Sequence, residues 1–137
     1  MTAATQDRNT VEVAGLVRAF PMEAASNIYA GTLACVNAAG NMVRGSTSAA
    51  LRCVGVARQR YDNATGTAGA VMAEAKAGVF GLFANSAAAD QITNADCGAD
   101  CYIVDDQTVA KTNGGGTRSV AGKVWTLDGN GVWIKFV

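Results

Sequence analysis

The sequence predicts an all-β fold: a single-domain β-sandwich, jelly-roll-like, or a partly open β-barrel, entered through an extended N-terminal arm. Three observations carry this. Short runs rich in β-branched, aromatic and small apolar residues recur about every ten residues, separated by Gly, Asn and Asp, the spacing of sandwiches and barrels. "AVMAEAKAGVF" alternates with period two, with Val71, Ala73 and Ala75 on one face and Met72, Glu74 and Lys76 on the other. No stretch of helix length shows a competing 3.6-residue period. With 137 residues the chain suits one domain that buries a core without disulfide staples.

Taken in order, residues 1–10, "MTAATQDRNT", read as a flexible polar arm, and residues 11–137 as the β domain. Val11 and Val13 flank Glu12 and open an alternating strand in "VEVAGLVRAF", which Pro21 ends or confines to an edge. "NIYAGTLACVN" and "LRCVGVARQRY" are two further strands, the first punctuated by the turn "NAAGN". "DNATGTAG" is a loop. "NSAAADQITNADCGAD" is mostly loop, with a short helical turn around residues 86–89. "CYIVDD" and "QTVAK" are strands around a turn at Asp105 and Asp106. "SVAGKVWTL" and "GVWIKFV" close the chain around "DGNG", a strong hairpin signal.

The stretch "VAKTNGGGTRSVAGKVW" tests for nucleotide chemistry. A P-loop needs Gly, four residues, then Gly-Lys-Ser/Thr. Five positions before Gly122 stands Thr117, and after Lys123 comes Val124. The glycines therefore read as a hairpin tip. The four cysteines, Cys35, Cys53, Cys97 and Cys101, would all have to converge on a zinc ion, because the chain has no histidine. They read as inert small apolar residues. The aspartates from Asp90 to Asp106 fit no EF-hand register, since the third position from Asp90 is Ile92. They read as solvated turn residues. Absence of His removes the commonest general base and any activator for a Cys nucleophile. The residues thus point away from an enzyme, with no cofactor and no metal.

The polar N-terminus has no apolar leader core, and no apolar run is long enough to span a bilayer. This predicts a chain made in a cytoplasm, with reduced thiols and no membrane partner. A formal net charge of zero gives no nucleic-acid footprint. The charges are nevertheless segregated. Arg44, Arg52, Arg58 and Arg60 are the charged residues between Ala24 and Tyr61, while Asp90, Asp96, Asp100, Asp105 and Asp106 are those between Ala77 and Ala110. Complementary faces pairing between copies, or with a lattice, are one use for such segregation. Trp125 and Trp133 flank "DGNG" and would lie across from each other in a simple ribbon. They serve either as a hairpin-stabilising pair or as anchors at a subunit contact.

The elements "GVF", "DCGADCYIVDDQTVAK", the Gly-rich tip before "AGKV" and the closing "GVWIKF", preceded by "IYAGTLACVNAAGNMV" and "LRCVGVA", give a layout that resembles the tailed-bacteriophage capsid decoration, or cement, proteins. The resemblance runs from Asn27 to Phe136 and rests on strand and turn signatures. It implies a compact, non-enzymatic β-fold on the outer surface of an icosahedral virion, assembled in the host cytoplasm. Its implied partners are the major capsid protein and further copies of itself, as a homodimer in preference to a homotrimer. The residues expected at capsid or subunit contacts are Val11, Val13, Leu16, Val17 and Phe20 just after the arm, the four arginines Arg44, Arg52, Arg58 and Arg60, and Trp125 and Trp133. An arm that orders on the shell would do so by adding a strand to an exposed edge. The competing readings are a tail-tube or head–tail connector protein, and a glycan-binding β-sandwich displayed on the particle.

Overall fold

Period-two alternation makes a strand only where another strand completes its hydrogen bonds, so the pairing pattern decides which runs become sheet. In the computed structural model, which describes residues 2–137, twelve strands do so: β1 (Val17–Pro21), β2 (Ser26–Ile28), β3 (Leu33–Val36), β4 (Met42–Arg44), β5 (Arg52–Ala57), β6 (Tyr61–Asn63), β7 (Met72–Lys76), β8 (Gly78–Asn85), β9 (Asp100–Ile103), β10 (Thr108–Ala110), β11 (Val120–Asp128) and β12 (Gly131–Phe136). The fold is all-β, with two one-turn 3-10 segments at Ala88–Asp90 and Asn94–Asp96. Met1, the first residue of the expected arm, lies outside the described residues.

The strands form a five-stranded sheet in the order β1-β7-β5-β3-β4, a closed five-stranded barrel in the order β10-β8-β12-β11-β9, and a β2-β6 ribbon. Barrel closure comes from a parallel pair, Thr108 to Ala84 and Val109 to Asn85. A barrel of five strands leaves room only for side chains. Cys101, Ile103, Val109, Val124, Val132, Ile134 and Phe136 fill it. The Phe136 ring meets Phe83 edge-on at 5.9 Å. Ile92 is held in this core by the Asn85 side chain, which donates to the Ile92 carbonyl at 2.8 Å and accepts from its N–H at 2.9 Å.

The sheet lies between two cores. Leu33, Cys35 and Val56 belong to the barrel core, while Ala34, Val54, Ala57, Ala73 and Ala75 join Met22, Ile28, Met42 and Tyr61 in a second core with residues of the ribbon. In a regular strand Val54 and Val56 would share a face. They do not, because the β3–β5 register shifts between Ala34 and Cys35: Ala34 pairs with Gly55 and Cys35 with Cys53. This β-bulge re-aims the strand, and Gly55 takes it at φ +132° with Lys76 packed against its α-carbon.

Several local expectations change. "NIYAGTLACVN" and "LRCVGVARQRY" each split into two strands, β2 with β3 and β5 with β6, because β2 and β6 pair with each other outside the sheet. The alternation at Val11 and Val13 forms no strand; β1 starts at Val17, because among the described residues no strand partners the earlier ones. The glycine-rich segment is not a hairpin tip: β10 and β11 are not neighbours but pair on opposite sides of β9. Trp125 and Trp133 do not face one another, since a bulge between Val124 and Thr126 leaves Trp133 opposite Thr126.

Candidate functional site

The segments tested for chemistry are occupied internally. In the glycine-rich loop the amides of Gly116, Thr117 and Arg118 all donate to the Asn113 carbonyl, at 3.2, 3.0 and 3.0 Å. They are not free to cradle a phosphate. Among the described residues no group of three or more His, Cys, Asp or Glu side chains could hold a metal ion.

The aspartates, expected as solvated turn residues, are largely engaged. Asp90 accepts from the Thr112 hydroxyl and pairs with Arg118 at 3.2 Å, and these contacts hold its carboxyl below the usual carboxylate range. Asp96 accepts from the Thr93 amide at 2.8 Å and faces Lys111 at 3.6 Å, which likewise lowers its pKa. Asp100 accepts from Lys123 at 2.7 Å and raises the lysine's pKa. Asp105 accepts from the Gln107 amide in the β9–β10 turn.

The arginines do not act as one patch. Arg52 opens β5 and Arg58 follows its end, so about six strand steps, roughly 20 Å, separate them. Arg58 pairs with Glu74 at 2.8 Å, and Arg60 lies 5.3 Å above the Tyr29 ring. Arg44 and Arg52 are exposed, with no carboxylate partner among the described residues.

The apolar candidates gather around the root of the arm. Val11 and Val13 are 91% and 81% exposed, and Leu16 and Val17 are about half-exposed. The chain meets the body at Leu16, whose carbonyl accepts from the Ala77 amide at 2.7 Å. Ala77 leads into β8, where Val79 pairs with Lys135 on the outside of the barrel. Lys135 in turn lies 5.7 Å from the Trp125 ring. On the other side of the root, Val17, Ala19 and Pro21 of the edge strand β1 pair with Lys76, Glu74 and Met72, so each pair shares a face. That face carries the exposed Val17 and Met72.

The anchors divide accordingly. Trp125 is 56% exposed. Trp133 packs its ring over Gly81 and donates through Nε1 to Asp128 at 3.4 Å, so it supports the β8–β12 contact. Phe20 is half-buried against the second core. Sequence reasoning put Met72 on the outer face without naming it as a contact, and missed Val79, Leu82 and Val120 as exposed apolar residues. The polar-facing register of Met72 was legible; the other three depend on barrel closure. No protein-family model, curated protein or solved structure matches this chain.

Proposed function

We propose that the protein decorates the outside of an icosahedral phage capsid and bridges neighbouring copies of the major capsid protein. The resemblance of its strand and turn motifs to cement proteins supplies the capsid. One structural observation supports the docking mode: an exposed apolar arm, Val11 to Leu16, is rooted beside an open edge strand and an exposed barrel face carrying Val79 and Trp125.

An open edge offers unpaired backbone groups that another strand can complete. An arm with alternating valines can be that strand for a neighbour. Each contact is small, yet many copies on one lattice bind by avidity. The same arrangement serves pairing between copies, for which the reading favours a dimer. It requires no cofactor and no catalytic group.

Co-sedimentation with capsid shells that lack the protein tests this. Saturation at a fixed number of copies per shell, matching twofold or threefold lattice positions, is the expected result. A protein that stays in the supernatant and forms rings or tubes by itself would overturn it in favour of a tail or connector part.

A further inference from the structure

Sequence alone presents Cys35 and Cys53 as inert thiols, but the β3–β5 register sets them directly opposite each other. Both sit on the barrel side of the sheet, Cys35 fully buried in that core and Cys53 packed against its margin. Directly opposed residues of antiparallel strands have α-carbons about 4.5–5.5 Å apart. A disulfide spans about 4.4–6.8 Å. The backbone therefore already holds the two residues at bridging distance, on the same face.

Their surroundings differ. Cys53 is partly exposed and lines a surface groove of about 630 Å³ whose walls carry Arg52, Arg118, Lys123 and Lys135. Cys35 has no such opening. The Cys53 thiol donates to the Gly55 carbonyl at 3.8 Å. The neighbouring Cys35 thiol, the Gly55 backbone and the Arg18 guanidinium lower the pKa of Cys53 against the opposing effect of burial, while the Cys53 sulfur and burial raise that of Cys35. Cys101, the other buried thiol, is pushed up to about 12 by burial and sits 3.5 Å from the Gly122 carbonyl. Thiolate character and access select which cysteine reacts, and both select Cys53.

We propose that Cys53 is an oxidation site and that Cys35 resolves it, so that a peroxide converts the pair to a reversible cross-strand disulfide. The Cys53 thiolate attacks one peroxide oxygen. The S–O bond forms, the O–O bond breaks, and hydroxide leaves, taking up a proton as water. The Cys35 sulfur then displaces the sulfenic hydroxyl. The S–S bond forms, the S–O bond breaks, and the Cys35 proton departs with that hydroxyl as a second water. The two thiols lose two electrons together and the peroxide gains them. The product ties β3 to β5 beside the bulge.

The test uses the full chain carrying Cys97→Ser, which removes the exposed thiol that would otherwise link copies. The protein is treated with hydrogen peroxide, and its intact mass and proteolytic peptides are measured before and after a dithiol reductant. The expected result is a loss of two hydrogens' mass, a Cys35–Cys53 linked peptide, and full reversal on reduction. Adding Cys35→Ser should instead leave a sulfenic acid at Cys53 that a 1,3-dione reagent labels. Unlinked Cys35 and Cys53 peptides after oxidation of the Cys97→Ser protein, or a linkage through Cys101, would overturn the proposal without relying on the second variant.

Discussion

Replacing Gly55 with Ala probes the bulge that lets one strand serve two cores. A Cβ built there would stand 2.2 Å from the Lys76 carbonyl oxygen and 2.7 Å from its carbon. Both are backbone atoms, so no rotamer change relieves the contact. The residue also holds φ +132°, a conformation that costs a non-glycine residue about 1–3 kcal/mol. Forcing β7 away adds an overpacking cost of about 1–3 kcal/mol. The sum is about 2–6 kcal/mol, which for a domain of this size lowers Tm by on the order of 10 °C. Gly40→Ala separates the two terms, because Gly40 has a positive φ but nothing within 4 Å of its Cβ. It should cost about 1 kcal/mol. Urea denaturation followed by tryptophan fluorescence measures both variants on one scale. If Gly55→Ala loses no more stability than Gly40→Ala, β7 yields freely and the bulge is not a fixed point of the sheet.

Other outcomes follow from the same contacts. Ile134→Ala should cost about 2–5 kcal/mol by the same denaturation assay, because Ile134 is fully buried in the barrel and the surrounding strands relax only in part. Deleting residues 2–10 and mutating Val11 and Val13 to Ser should leave Tm unchanged while shell attachment weakens more than about tenfold through lost avidity; unchanged binding in co-sedimentation would remove the arm from the docking mode. Attachment should weaken with added salt, and Arg44→Ala with Arg52→Ala should blunt that dependence more than Arg58→Ala, since Arg58 is paired with Glu74 within the chain. Asp90 has its pKa lowered in the fold, so its stabilising contribution is present above the unfolded value of about 3.9 and is lost as pH falls through the lowered one. Asp90→Asn should therefore be less stable than wild type at neutral pH and equal to it in strong acid, as thermal melts across that range would record.

Local pattern marked the buried face of a strand and the position of a tight turn. The alternation of Ala73 and Ala75 against Met72 and Lys76 marks the buried face of β7, and "DGNG" does join β11 to β12, with Asp128 opposite Gly131. Pattern did not reveal which strand, if any, a run pairs with, nor where a bulge shifts the register, as between Val124 and Thr126. Val11 and Val13 alternate as well as Ala73 and Ala75 do, but no strand comes to meet them. The three glycines look like a hairpin tip because nothing near them reveals that β9 separates β10 from β11. The cross-strand position of Cys35 and Cys53 depends on a one-residue bulge, and a single-residue offset changes which side chains meet.

The same bulge bears on where a partner can bind. Because Val54 and Val56 enter different cores, the central strands β3 and β5 have both faces covered, and the small Ala34, Ala57, Ala73 and Ala75 pack on the second-core side. A sheet covered on both sides keeps no apolar face for recognition. The barrel is closed and filled by its own side chains, so its interior is unavailable too. Apolar surface for a partner is then left at the β1–β7 wing beyond the barrel, on the barrel's outer wall near Val79 and Trp125, and on the arm that leaves between them. These three surfaces adjoin because Leu16 is tied to Ala77 at the start of β8. Binding through them requires no opening of either core, which is the property a protein needs if it is to load onto a preformed lattice as a finished fold.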